Sequence, residues 1–432
     1  MNYKETLEYL YNSTPVFEHV GASAYKEGLQ NTLTLDEHFG HPHRKFRTIH
    51  IAGTNGKGSC SHTIASILQE AGYKVGLYTS PHLVDFRERI KVNNVCISEK
   101  DVIDFVEKER HFFEPLHPSF FELTTAMAFQ YFEKEHVDIA VIEVGLGGRL
   151  DCTNIITPIL SIITNISFDH TQFLGDTLEK IAAEKAGIIK HSVPVVIGEY
   201  NEETRKVFEA KAKGLEAPIT FAQDSNWILS SESTGHGGRR YTTADGKCFD
   251  GALGGDYQEK NTRTVLEACG ILKEMGVITN ENHIFEGIRK VCLNTGLLGR
   301  WQILSDKPLT VCDTGHNVAG WEYLSEQIKR QKCKTTRIVF GMVDDKDINS
   351  VMSLLPENAT YYFTQATCKR ALDRHTVASI AGRHGLTGKT YDNVGEAYMQ
   401  ARKEADSDDF IFIGGSSYIV ADLLAFIAFN SF

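Results

Sequence analysis

Residues 47–60 read RTIHIAGTNGKGSC: a β-branched run, Arg47 to Ala52, passes into the glycine-rich stretch Gly53-Thr54-Asn55-Gly56-Lys57-Gly58-Ser59, and an apolar-periodic segment follows. A strand, a glycine turn and a helix in that order form the phosphate-binding arrangement, and nothing else in the chain constrains it as much. The glycines let successive backbone N–H groups point inward, the helix N-terminus adds partial positive charge, a lysine reaches the outer phosphates, and a hydroxyl can face a metal ion. A plain tight connection is the bland reading of the same residues, but such a turn has no use for Lys57 and Ser59. The loop is a candidate nucleoside triphosphate site. It departs from the strict pattern G-x-x-x-x-G-K-S/T, because Ile51 stands where the first glycine should be and Gly58 follows the lysine directly.

The rest of the chain alternates in the same manner. Helices are expected at 3–12, 28–40, 62–71, 99–113 and 120–135, with strands at 74–79, 137–144 and 159–166; this spacing predicts a doubly wound parallel sheet whose ligands sit beyond the carboxyl ends of the strands. From about 216 to 255 the composition turns to Gly, Ser and Thr with short β-like pieces, read as a small appended sheet, and helices follow at 258–275 and 280–291. Glycine-rich sequence near 294–299 interrupts the pattern, which then restarts with strands near 309–313, 336–341, 360–364 and 410–413. At 432 residues two domains are expected. They are read as 1–296, a P-loop ATP-binding domain, and 297–432, a smaller Rossmann-like α/β domain.

Composition removes several classes of function. With 56 acidic against 45 basic residues the net charge is -11, which argues against a nucleic-acid partner. Nine cysteines without a C-x-x-C spacing read as reduced thiols rather than a disulfide frame or zinc site. The N-terminus lacks the apolar core of a signal peptide, and the apolar stretch 410–429 carries Gly414-Gly415-Ser416-Ser417 and Asp422, so it reads as strand, turn and packed terminal helix. The expectation is a cytoplasmic monomer with no membrane partner.

Two residues stand out by position alone. Glu143 ends an apolar strand, where P-loop enzymes often keep a magnesium carboxylate; the alternative is a charged strand end facing water. His170 lies in the polar turn Ser167-Phe168-Asp169-His170, where a lone histidine is more often structural. In Thr177 to Gly187, helical spacing puts Lys185 on one face with Ile181, so this lysine either snorkels to water or is modified.

Several separate pieces, in order and over nearly the whole chain, resemble the folylpolyglutamate synthase/dihydrofolate synthase family of the Mur ligase superfamily. They are Ala52 to Ser59, Ser80-Pro81-His82-Leu83, Phe121-Glu122-Leu123-Thr124, Glu143 to Asn154, Asp169-His170-Thr171 with Glu184-Lys185-Ala186-Gly187, Gly299-Arg300-Trp301-Gln302, Asp313 to Asn317, Gly341 to Asp347 and Gly415-Ser416. The resemblance implies an ATP-dependent ligase that joins L-glutamate to a folate-type carboxylate, with dihydropteroate as a further substrate. It implies that Thr54, Asn55, Gly56, Lys57, Gly58 and Ser59 cradle the phosphates, that Asn261, Arg300 and Asp313 contact the nucleotide, and that Ser80 and Glu143 bind one Mg²⁺. His170 and Lys185 would hold a second Mg²⁺, with Lys185 carried as a carbamate. His316 and Ser416 would lie near the glutamate, and Ser119, Phe120, Phe121, Glu122, Leu150, Asp151 and Cys152 near the pterin-bearing substrate. Lys57, Lys185, Arg300 and His316 are the implied catalytic set.

Asn31 stands where an arginine often occurs in the family's N-terminal pterin-contact region, and Leu298 precedes Gly299 where proline is common. The competing readings are a folylpolyglutamate synthase without the dihydropteroate reaction, a Mur-type ligase acting on a cell-wall nucleotide, and a P-loop binding module that uses ATP only as a switch.

Overall fold

The computed structural model describes residues 1–13, 28–344 and 346–430. It divides into two compact units: Met1–Ser231, Arg240–Ala252 and Gln258–Leu297 form the first, and Glu232–Arg239, Leu253–Tyr257 and Leu298–Phe432 the second. The linear division at 296/297 thus omits two short excursions, 232–239 and 253–257, that group with the second unit.

The first unit is built on eight strands: β1 (Arg47–Ala52), β2 (Val75–Tyr78), β3 (Ile90–Val92), β4 (Val95–Cys96), β5 (Ile139–Glu143), β6 (Leu160–Ile163), β7 (Val195–Ile197) and β8 (Ile219–Phe221). Their order is β4-β3-β2-β5-β1-β6-β7-β8. The run from β2 to β8 is parallel, and only β3 and β4 pair antiparallel. The expected doubly wound sheet is present. Successive side chains along β5 feed opposite layers: Ile139 and Val141 pack with Ile64, Ile67 and Leu68 of the helix Lys57–Glu70, whereas Ala140 and Ile142 pack with Met127, Phe129 and Phe132 of Phe120–Lys134. Each such fully buried aliphatic side chain contributes about 2 kcal/mol, and burial on both faces is why these strands read as unbroken apolar runs.

Three expectations are corrected here. The helix expected from residue 62 begins at Lys57, inside the glycine loop, because Gly56 takes a left-handed conformation and serves as its N-terminal cap position. The piece at 219–221 is not part of the small sheet but the edge strand of the large one. The small sheet starts later, as β9 (Ile228–Ser233), β10 (Arg239–Thr243) and β11 (Cys248–Gly251).

The second unit carries a six-stranded sheet of β12 (Gln302–Asp306), β13 (Leu309–Asp313), β14 (Thr336–Phe340), β15 (Ala359–Phe363), β16 (Gly388–Thr390) and β17 (Phe410–Gly414), in the order β12-β13-β17-β14-β15-β16. Antiparallel β12 and the short edge strand β16 are not in the expectation; all strands but β12 are parallel. Register places Asp313 and Phe340 both opposite Gly414, so the polar turns after β13, β14 and β17 open on one edge. Among the described residues no helix is long and apolar enough to cross a membrane.

Candidate functional site

In the first unit the glycine loop is fastened to the turn after β6. Thr54 N donates to Asn165 O at 3.0 Å, Asn55 N to Asn165 Oδ1 at 2.8 Å, and Thr54 Oγ1 to Ser167 O at 3.1 Å. Thr164 Oγ1 donates to Asn55 O. The first half of the loop therefore spends its polar groups on the protein, and the Gly56-Lys57-Gly58-Ser59 half opens the helix, whose first N–H groups have no intrahelical acceptor and can bind an anion. A Cβ on Gly56 would lie 2.3 Å from Asn261 Oδ1, so only glycine lets Asn261 come this close to the loop. Asn261 in turn donates to Gln258 Oε1 at 2.9 Å, and Gln258 Nε2 donates to Ser59 Oγ at 3.1 Å.

Lys57 and Lys185 arrive from different helices. Lys57 Nζ donates to Gly53 O at 3.0 Å and to Thr54 O at 3.2 Å, and Lys185 Nζ donates to Gly53 O at 3.0 Å. Lys185 closes the helix Leu178–Lys185 and is 4% exposed, so it does not snorkel to water. Burial, reinforced by the Lys57 ammonium, lowers its pKa to about 7. Glu143 ends β5 opposite Ile51, two residues before Gly53, and is buried; the water-facing reading of this carboxylate does not hold. His170 takes a left-handed conformation, with its backbone N–H on Asp169 Oδ1 at 2.9 Å. Ser80 follows β2 across a cis Ser80-Pro81 bond. Glu143, Ser80 and His170 thus occupy a strand end or turns on the carboxyl edge of the sheet, and Lys185 reaches Gly53 from the end of its helix. Among the described residues no three His, Cys, Asp or Glu side chains form a cage, so a divalent ion here would complete its shell with phosphate oxygens and water.

The loop after Glu143 reaches the other expected segments. Phe121 lies on Gly145, where a Cβ would sit 2.4 Å from its ring. Gly148 lies on the backbone of Lys185, where a Cβ would meet Glu184 O at 2.8 Å and Lys185 Cα at 3.0 Å. Arg149 N donates to Glu184 O at 2.8 Å. Some expected contact residues turn inward. Glu122 forms a capping box with Ser119, accepting from Ser119 N at 2.6 Å and donating its own N–H to Ser119 Oγ at 3.2 Å. Asn31 Nδ2 approaches Glu122 Oε2 at 3.5 Å. Asp151 is 5% exposed and accepts from Leu146 N at 2.8 Å and Thr153 N at 2.9 Å. These carboxylates shape the segment from within. Phe120 is buried and stacks on Tyr11, while Phe121, Leu150 and Cys152 are half-buried.

In the second unit Asp313 plays the same organising part. Its Oδ2 accepts from Tyr257 OH at 2.6 Å and Trp301 N at 2.7 Å, and its Oδ1 from Gly315 N at 2.8 Å, so burial raises its pKa against several bonds that favour the charged form. Arg300 donates to Gly299 O at 3.2 Å and to Thr314 Oγ1. His316 Nδ1 donates to Thr314 O at 3.1 Å. Ser416 is buried and accepts from Ile419 N at 3.3 Å.

Asn165, Gln258 and Tyr257 were not anticipated. No spacing rule marks a residue whose partner lies more than fifty positions away. The Ser119-to-Glu122 box did have a sequence signal, the S/T-x-x-E pattern before an apolar run.

The Mur ligase middle domain matches residues 51–268, and the Mur ligase glutamate ligase domain matches residues 299–417. A Bacillus subtilis protein described as dihydrofolate synthase/folylpolyglutamate synthase is 34% identical over 418 residues, covering 92% of this chain and 94% of its own. The structure of E. coli FolC in complex with DHPP and ADP superposes with a TM-score of 0.85 at 30% identity, covering 100% of this chain and 99% of that one. A Yersinia pestis bifunctional folylpolyglutamate synthase/dihydrofolate synthase complexed with AMPPNP and Mn ion gives 0.79 at 26% identity, covering 99% and 98%.

Proposed function

The chain belongs to the dihydrofolate synthase/folylpolyglutamate synthase family of the Mur ligases, and on that premise we propose how its residues make an amide bond. It is an ATP-dependent ligase that adds L-glutamate to folates, and dihydropteroate is its second acceptor. The observation that carries the reading is the path of one loop. Within nine residues it passes from Glu143, at the phosphate loop, through Gly145, which bears the Phe121 ring, to Asp151, which shapes the substrate segment.

A carboxylate does not acylate an amine at neutral pH until its oxygen becomes a leaving group, and transfer of the ATP γ-phosphoryl to the substrate carboxylate does this. The Gly56–Ser59 half of the loop binds the β and γ phosphates, and Lys57 swings from the Gly53 and Thr54 carbonyls to neutralise charge on the transferring group. Asn261, held by Gln258, orients the nucleotide. Phe121, Leu150 and Cys152 line the pterin side, on a segment fixed by Glu122 and Asp151. Arg300 and Asp313 of the second unit engage the nucleotide, and His316 and Ser416 orient the glutamate whose amine attacks the acyl phosphate and expels inorganic phosphate. Shielding of that acyl phosphate from water prevents its hydrolysis.

Oxygen donors suit magnesium, and Glu143 and Ser80 offer them; His170 would add a ring nitrogen, and such ions would supply charge neutralisation at the phosphates. Lys185 joins them as a carbamate: its neutral amine attacks CO₂, an N–C bond forms and one proton is released, turning a cation into a two-oxygen ligand. The buried position beside a second lysine supports this, since both features favour the neutral amine. The same reading makes the protein a cytoplasmic monomer, to be checked by fractionation and light scattering.

Purified protein incubated with ATP, labelled glutamate and either tetrahydrofolate or dihydropteroate tests the assignment. Glutamate-dependent ADP release with both acceptors is expected. Release with tetrahydrofolate alone would select the monofunctional alternative, and ADP release independent of glutamate would select the nucleotide switch.

A further inference from the structure

His50 lies in β1, fully buried, three residues before the phosphate loop. Its Nε2 is 2.8 Å from Thr153 Oγ1, and its Nδ1 has no hydrogen-bond partner. Thr153, itself fully buried, donates its hydroxyl proton to Asp151 Oδ1. A threonine hydroxyl has one proton. Because that proton goes to the carboxylate, the bond from the imidazole runs the other way: Nε2–H donates and Nδ1 is bare. A protonated ring would bury an N–H with no acceptor, so the site admits only the neutral form, and burial lowers the pKa to about 3.

The relay has a destination. Asp151 receives Thr153 N and Thr153 Oγ1 on one oxygen and Leu146 N on the other, and Leu146 adjoins Gly145, on which the Phe121 ring rests. An Asp151 carboxylate held only by the backbone could rotate; the hydroxyl bond fixes its plane, and His50 fixes the hydroxyl. Since β1 runs directly into the glycine loop, the same strand positions the phosphates and, through His50, the substrate segment.

We infer that His50 is a positioning residue for the folate-type substrate, acting through Thr153 and Asp151 to hold the Leu146–Cys152 segment against the phosphate loop. The inference rests on the assignment of that segment to the pterin-bearing substrate. Loss of one buried hydrogen bond corresponds to about a fivefold change in an equilibrium constant, and it should appear in one substrate only.

Thr153→Val keeps the shape and removes the relay, His50→Leu removes the donor, and His50→Gln supplies an amide N–H of similar reach. Thr153→Val and His50→Leu should each raise KM for tetrahydrofolate about fivefold while KM for ATP stays within about twofold. The double variant should be no worse than either single one, and His50→Gln should recover most of the loss. Amide hydrogen exchange at Leu146 should quicken in Thr153→Val and be restored toward wild type in no variant lacking the hydroxyl. If His50→Leu fails to fold, Thr153→Val reads the same contact from its other end. Equal shifts in both KM values, an unchanged KM for tetrahydrofolate in Thr153→Val, or His50→Gln behaving like His50→Leu would overturn the inference. Wild-type protein that consumes ATP without incorporating glutamate would instead overturn the assignment of function.

Discussion

Lys57 and Lys185 donate to the same acceptor, the carbonyl oxygen of Gly53, each at 3.0 Å. Two ammonium groups on one oxygen repel, and burial together with the neighbouring Lys57 lowers the pKa of Lys185 to about 7. Two lysines of identical chemistry thus meet one carbonyl in different environments, one buried and one half-buried.

From this relationship, Lys57→Ala should abolish turnover, by more than about a hundredfold, because the phosphoryl group loses its neutralising partner. The fold should survive, since no apolar packing depends on this side chain. Thermal unfolding and ligase rate measured on the same sample check both halves. A folded variant with full activity would remove Lys57 from the mechanism.

Asn165 makes a second test. Its side chain holds Asn55 N at 2.8 Å, and its carbonyl holds Thr54 N at 3.0 Å. Asn165→Ala removes the first bond, together with the long 3.5 Å donation from Asn165 Nδ2 to Glu199 Oε1, and keeps the second, so the loop loosens without losing its lysine. KM for ATP should rise about fivefold with KM for folate unchanged; steady-state kinetics varying each substrate in turn distinguishes this from a general loss of stability.

How far the sequence disclosed this site depends on the range of the interaction. The phosphate loop was legible because its glycines, lysine and serine lie within seven residues and the spacing itself states the geometry. Glu143 was legible because an apolar strand must end where its charge begins. Asn165 and Asn55 are 110 positions apart, and nothing local marks either. The direction of Asp151 was also hidden: an acidic residue beside a substrate segment reads as a ligand, and only the packed loop reveals a carboxylate turned inward onto Leu146 and Thr153. In the fold, β7 and β8 are three residues each, too short for periodicity to register, and antiparallel β12 follows directly on the 294–299 stretch read as a domain boundary.

Gly148 supplies a steric test of the contact between loop and lysine. Gly148→Ala would place a methyl 2.8 Å from Glu184 O and 3.0 Å from Lys185 Cα, all backbone that cannot rotate away. The cost should be about 1–3 kcal/mol in stability, with kcat falling more than KM for ATP as Lys185 shifts. Denaturant titration and kinetics on the variant check the two expectations.

Arg300 is expected to act on the reacting arrangement. Its guanidinium donates to Gly299 O and Thr314 Oγ1, bonds that cost little to exchange for a phosphate oxygen. Arg300→Ala should lower kcat by about a hundredfold while equilibrium ATP affinity changes by less than about threefold. Calorimetric binding beside single-turnover kinetics separates the two quantities; loss of binding with normal turnover per bound ATP would be incompatible with this role.

The carbamate at Lys185 is the most demanding expectation, because it joins burial, charge and metal chemistry in one atom. An ammonium offers three donors and no acceptor, so a charged Lys185 cannot ligate magnesium. The neutral amine can attack CO₂, and its fraction grows as pH rises through the value of about 7 that burial and Lys57 impose. Carbamylation should therefore increase between pH 6 and 8 as an order-of-magnitude window set by that shift. Protein equilibrated with ¹³C-bicarbonate should show one protected carbamate carbon that disappears in Lys185→Ala. That variant should retain the fold and lose turnover by more than about a hundredfold, because charge at the phosphates is left uncompensated. Added acetate should restore part of the rate, since a short carboxylate fits the cavity left by the side chain and presents the missing oxygens. CO₂-stripped wild type should behave like the variant until bicarbonate returns. A wild-type rate indifferent to CO₂, together with an unmodified Lys185 in a magnesium- and nucleotide-loaded crystal, would leave Lys185 as a structural donor to Gly53 and assign the second metal to other ligands.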